Sequence, residues 1–194
     1  MPIRLVLGLG NPGQSYEATR HNAGFRVVDR LRLRRSGAPW WPGTECEHAV
    51  AVIGGPVVLA RPLAFMNKSG KVAFELLEEL DLGPESVLVV VDDIDLPLGS
   101  LRLKPSGGPG THNGLRDLVA KIGTGFPRLR VGVRGQGSIE DLADYVLTPF
   151  ANGEKERADD AIERAADAVE AVLRLGIECA MNQYNRAPIA AQPE

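Results

Sequence analysis

Six polar residues lie where a strand should end or a glycine-rich turn should begin: Asn11, His21, Asn67, Asp92, His112 and Asn113. A histidine that meets an aspartate is a general base with an orienting partner, and neutral amides can hold a carbonyl and a water without adding charge. Neither cysteine, Cys46 or Cys179, falls in these segments, and Ser69 and Ser106 have no evident base beside them. The set therefore points to hydrolysis with water as the nucleophile.

The first of these segments organises the rest. Gly8-Leu9-Gly10-Asn11-Pro12-Gly13 follows the apolar run Ile3 to Leu7, which reads as a buried strand, and Thr19-Arg20-His21-Asn22-Ala23-Gly24-Phe25 comes soon after. Open α/β sheets bind ligands at the C-terminal ends of their strands, where these groups would stand. Gly8, Gly10 and Gly13 also spell G-x-G-x-x-G, the dinucleotide fingerprint. Pro12 opposes that reading, because it removes a backbone N–H of the kind that cradles a pyrophosphate. Ala23, Val27, Val28 and Leu31 recur at helical spacing, which places Asp29 on a helix and not at the end of a second strand.

The elements that must position the set follow in order. A helix is expected from about 17 to 35, then a loop around Trp40-Trp41, where anchoring to the core is the commoner use of such rings and base stacking the rarer. The segments 47–53 and 57–60, joined by Gly54-Gly55-Pro56, form a hairpin pattern. Asn67 or Ser69 is placed to cap a helix running to Leu82. The dense run Ser86 to Val91 reads as a central strand buried on both faces, ending in Asp92-Asp93-Ile94-Asp95. Adjacent residues on an extended chain point to opposite faces, so these acids cannot all converge on one cation. A strand at 101–104, a helix at 115–121, a strand at 129–133, a helix start at Ser138 to Asp141, and a long helix from about 153 to 175 complete the pattern. The expected fold is one α/β domain over residues 1–187, a twisted mixed, mostly parallel β-sheet flanked by helices, with a disordered tail at 188–194.

Composition sets outer limits. The chain has 194 residues, 44% hydrophobic and 24% charged, and a net charge of −3. That balance speaks against a protein that coats nucleic acid indiscriminately. Its distribution is uneven: Arg102, Lys104, Arg116, Lys121, Arg128, Arg130 and Arg134 share their stretch with one acid, Asp117, whereas acids dominate from Glu140 to Glu170. A polyanion docked at one place would suit this asymmetry. No apolar run reaches membrane-spanning length and the N-terminus lacks signal-peptide features, so no membrane contact and a cytoplasmic location are expected. The cysteines read as free thiols, and with no apolar surface stripe evident the expectation is a monomer without an obligate protein partner.

The segments Gly8 to Gly13 with Tyr16, Thr19 to Phe25, Phe65 to Gly70, Asp92 to Pro97, His112 to Leu115 and Met181 to Asn185 resemble, in order, those of bacterial peptidyl-tRNA hydrolase. The resemblance implies an esterase that cleaves the bond between a peptide and the ribose of tRNA, acting on the acceptor end and the peptide of peptidyl-tRNA, with no cofactor and no metal. It implies that His21 activates water and Asp92 orients its imidazole. Asn11 and Asn67 would position the peptide and the ester, Asn113 with His112 behind it would hold water and peptide backbone, and Tyr16 and Met66 would line the cleft. Arg102, Lys104 and Arg130 would meet tRNA phosphate. A similar fold has been reused in plant organelles as an RNA splicing factor, but the complete polar set here favours the enzyme.

Overall fold

A computed structural model of the chain describes residues 2–35, 38–43 and 45–186. The expected tail at 188–194 lies outside the described residues.

Alternating burial of successive apolar side chains explains the layering. Strand β1 (Leu5–Gly8) and strand β5 (Val87–Pro97) are buried on both sides: Val6, Leu88 and Val90 enter one core cluster, and Leu5, Leu7, Val87, Val89 and Val91 enter the other. Helices α1 (Ala23–Arg35) and α5 (Lys155–Leu175) cover the first cluster, joined at its edge by α6 (Ile177–Tyr184). Helices α2 (Ser69–Glu79) and α3 (Asn113–Ile122) cover the second. Strands β2 (Trp41–Pro42), β3 (Cys46–Val52), β4 (Pro56–Pro62), β6 (Leu101–Lys104) and β7 (Arg128–Arg134) complete one sheet of order β2-β3-β4-β1-β5-β7-β6. Its four central strands, β4, β1, β5 and β7, run parallel, and both flanks are antiparallel. The chain leaves β1 in one direction to reach β4 and returns across it to β5, so a crevice opens at the carboxyl ends of β1 and β5, the switch point of the topology.

The expected hairpin is β3–β4. Three local expectations differ from the structure. The helix expected from 17 begins at Ala23, because Gln14–Tyr16 and Arg20–Asn22 form separate 3₁₀ turns. Between them Thr19 is extended, pairs with Pro149, and donates its hydroxyl to the Tyr16 carbonyl at 2.7 Å, a local bond that competes with helix. Neither Asn67 nor Ser69 caps α2: Ser69 is the first helical residue and its Oγ donates to the Met66 carbonyl at 2.8 Å. That helix stops at Glu79, before a left-handed Asp81 (φ 52°). Trp40 donates to Asp29 at 2.7 Å and anchors its loop, whereas Trp41 stays exposed.

Gly8 and Gly24 serve close backbone packing. A Cβ on Gly24 would lie 2.3 Å from the Val90 carbonyl oxygen and 2.5 Å from the Leu9 nitrogen, so only glycine lets the start of α1 approach the ends of β1 and β5. That approach brings His21 to Asp92.

Candidate active site

Asn11 stands just after β1, and its backbone is clamped by one side chain. Asn22 accepts from the Asn11 N–H at 2.8 Å and donates to the Asn11 carbonyl at 3.0 Å, pinning the glycine turn to the turn that carries His21. The Asn11 Oδ1 accepts from the Met66 N–H at 2.8 Å, which joins the segment before α2 to the same assembly. Asn22 is a structural member of the site to which the sequence pattern assigns no role.

At the end of β5 the alternation of the strand separates neighbouring acids, as their spacing requires. Asp93 pairs with Arg130 at 3.1 Å, while Asp92, 2% exposed, presents one oxygen to two histidines. His21 Nδ1 lies 2.8 Å and His112 Nε2 2.9 Å from Asp92 Oδ1. Burial pushes the Asp92 carboxyl up, but attraction and hydrogen bonds from His112 and His21 outweigh it and hold the group well below the usual carboxylate range. Burial dominates for Asp93, raising its carboxyl despite Arg130.

Hydrogen-bond partners assign the tautomers. His112 caps α3: its Nδ1 accepts from the Leu115 N–H at 3.2 Å, so the proton sits on Nε2 and is donated to Asp92. His21 donates from Nδ1 to the same oxygen, which leaves its Nε2 as the basic nitrogen. The three groups lie within 4.8 Å of one another, which raises the question of a metal. Ligand atoms about a tetrahedral ion with bonds near 2.0–2.2 Å stand about 3.3–3.6 Å apart. The shorter N···O separations here fit two N–H···O⁻ hydrogen bonds.

These residues line a cavity of about 660 Å³. His21, Asp92 and Asn11 are buried at its base, Asn67 and Asn113 are exposed on its rim, and Phe65 and Met66 supply apolar surface. The short helix α4 (Leu142–Val146) and its C-cap add Leu142, Val146 and Leu147. Its N-cap is Asp141, inside the expected helix start, and accepts from Ala143 and Asp144. Nothing in its sequence pattern pointed to the cleft; the signal is two leucines left half exposed opposite the polar set. Tyr16, expected to line the cleft, does not: it meets Phe65 edge to face at 6.3 Å and supports that ring. The other expected residues Asn11, His21, Met66, Asn67, Asp92, His112 and Asn113 all converge here, joined by Arg130.

Arg102 and Lys104 lie one strand beyond, on β6. The β6–β7 register sets Arg102 opposite Arg130 and Lys104 opposite Arg128. Like charges directly opposite on a sheet repel. Arg128 is buried on Phe126 and donates to the carbonyls of Gly108, Thr124 and Phe126, with no carboxylate partner among the described residues. Burial, then Arg130, lowers its pKa to about 10, so it remains charged at neutrality.

A buried carboxylate holding an imidazole in an amide-rimmed cleft, at the switch point of an α/β sheet, is an arrangement suited to a hydrolase. Residues 5–192 match the family model described as peptidyl-tRNA hydrolase. The peptidyl-tRNA hydrolase of Aquifex aeolicus is 42% identical over 188 residues, covering 96% of this chain and 98% of that protein. The one of Rubrobacter xylanophilus is 48% identical over 181 residues, covering 92% and 98%. The crystal structure of peptidyl-tRNA hydrolase from Acinetobacter baumannii superposes with a TM-score of 0.87 at 38% identity, covering 94% of both chains. The chain belongs to the peptidyl-tRNA hydrolase family.

Proposed function

We propose that the chain hydrolyses the ester joining a peptide, or an N-blocked amino acid, to the tRNA ribose, and so recycles tRNA from aborted translation. The observation that carries the mechanism is the 2.8 Å contact between His21 Nδ1 and Asp92 Oδ1 at the base of an open cleft. With its Nδ1 proton committed to Asp92, His21 takes a proton from water at Nε2 as that water attacks the ester carbonyl. Asp92 stabilises the imidazolium that forms. The C–O bond to the ribose then breaks, and the ribose oxygen recovers the proton from Nε2. An aminoacyl ester is activated, so an oriented water and a positioned imidazole base suffice.

Asn11, Asn67 and Asn113 hold the peptide carbonyls and the developing oxyanion without bringing charge beside His21. Met66, Phe65 and the α4 leucines receive the apolar parts of the peptide, with Tyr16 behind Phe65. His112 acts through Asp92, as a second donor that keeps the carboxylate fixed. Arg102, Lys104 and Arg130 take the tRNA phosphates, with Arg130 shared between Asp93 and the ligand. The opposed like charges of β6 and β7 support this, since a polyanion laid across them relieves their repulsion. The enzyme works as a monomer in the cytoplasm, without an obligate partner. No helix among the described residues is long and apolar enough to cross a membrane.

The test is release of tRNA from an N-acetyl-aminoacyl-tRNA by the purified chain, with the unblocked ester spared. His21→Ala is expected to lower kcat by about 10²–10⁴ while the folded far-UV spectrum and Tm are retained. An unchanged kcat would remove His21 from the chemistry.

A further inference from the structure

Two of the asparagines that line the cleft have had their polarity chosen for them. The Oδ1 of buried Asn11 is occupied by the Met66 N–H at 2.8 Å, so its amide NH₂ is the group left for a ligand. Asn113, the first residue of α3, is exposed, and an exposed carboxamide turns freely unless something holds it. One turn along the same helix, Arg116 donates from one guanidinium nitrogen to Asn113 Oδ1 at 2.7 Å. A guanidinium has five donors and no acceptor, so it admits only the oxygen end of the amide. That leaves the NH₂ of Asn113, a cleft-lining residue, as the free end of the amide, as in Asn11.

Arg116 has no other evident use in the fold. It makes no ion pair among the described residues, is solvent exposed, and does not line the cavity. It also sits in the first turn of α3, where the helix dipole disfavours a cation. A basic residue kept there against the dipole, with its one hydrogen bond to a cleft asparagine, points to a task at the cleft.

We propose that Arg116 is a positioning residue: it locks the Asn113 carboxamide with its donors toward a peptide carbonyl oxygen. This rests on the hydrolase reading above and adds to it a means by which the rim amide is fixed as a donor. The rival use for an exposed arginine beside this cleft is a direct contact with tRNA phosphate, and the two differ in what they predict for a double variant.

The experiment measures kcat and KM on N-acetyl-aminoacyl-tRNA, across a salt series, for wild type, Arg116→Met, Arg116→Lys, Asn113→Ala, Asn113→Asp and the Arg116→Met/Asn113→Ala double variant. Arg116→Met is expected to lower kcat/KM by about five- to tenfold, and Arg116→Lys, which keeps a donor, to recover at least half of that loss on a logarithmic scale. The double variant should match Asn113→Ala within about twofold, because Arg116 acts only through Asn113. Asn113→Asp, which keeps the contact with Arg116 but loses the NH₂, should be as impaired as Asn113→Ala. The salt dependence of KM should not change in Arg116→Met. Multiplicative losses in the double variant, a flattened salt dependence in Arg116→Met, or a silent Asn113→Ala would each overturn the proposal while leaving the hydrolase reading intact. An inactive wild type would overturn both.

Discussion

The molecule carries two arginine-rich surfaces that sequence composition alone would treat alike, and they are electrostatic opposites. On α1, Arg26, Arg30, Arg34 and Arg35 meet Asp159, Glu163, Asp167 and Glu170 of α5, each arginine matched by a carboxylate at helical spacing. On β6 and β7, Arg102 and Lys104 have no carboxylate partner within ion-pair distance among the described residues, and Arg130 has only Asp93. One surface is closed on itself as a packing seam. The other keeps the charges of Arg102 and Lys104 unpaired, with Arg102 in register beside Arg130, which lines the cleft. A basic run marks a ligand surface only where the fold supplies no acids to cancel it.

The largest effect that sharpens this contrast is expected on binding. The double charge reversal Arg102→Glu with Lys104→Glu should raise KM for peptidyl-tRNA roughly tenfold to hundredfold, with kcat nearly unchanged, and reduce the log–log salt slope by about 1–2. An unaltered KM would mean that the β6–β7 surface does not meet the phosphate backbone. On the opposite surface, Arg30→Ala with Arg34→Ala should leave KM where it is and cost about 1 kcal/mol of stability in denaturant melts, the scale of partly exposed ion pairs. A rise in KM there would break the distinction between the two surfaces.

The smallest effect concerns pH. Beside His21, the buried Arg20 donates to Glu154 at 2.6 Å and lies over the rings of Tyr145 and Phe150, tying α4 to the turn that carries His21. Burial raises the Glu154 carboxyl, but the Arg20 hydrogen bond prevails and holds it below its ordinary value. A lowered folded-state value stabilises the fold above the unfolded carboxylate pKa of about 4.3 and is lost as pH falls through the folded value. The Tm gap between wild type and Glu154→Gln should therefore be constant from pH 6 to 8 and narrow below about pH 4. A gap that widens with acidity would contradict the pairing.

Much of this arrangement was legible in the sequence because it depends on local pattern. The run Ser86 to Val91 announced a buried strand, alternation separated Asp92 from Asp93, and Pro12 with helical spacing at Ala23 to Leu31 argued against a dinucleotide turn. What escaped depends on distant partners. That Asp92 gives one oxygen to both His21 and His112 is a matter of β5, the 3₁₀ turn before α1 and the N-cap of α3 meeting. The clamp made by Asn22 requires two turns to close on each other. The α4 wall joins the cleft only because Arg20 and the Thr19–Pro149 pairing fold its segment back over the first turn. Arg34 and Arg35, at the end of α1, find their carboxylates some 130 residues away on α5.

Asp92→Asn tests the central claim most directly, because the side chain keeps its size while losing the charge that holds His21 in its basic tautomer. With N-acetyl-aminoacyl-tRNA at neutral pH, kcat should fall by about 10²–10⁴, with KM within a few-fold of wild type. A variant that cleaves at close to the wild-type rate would contradict that claim.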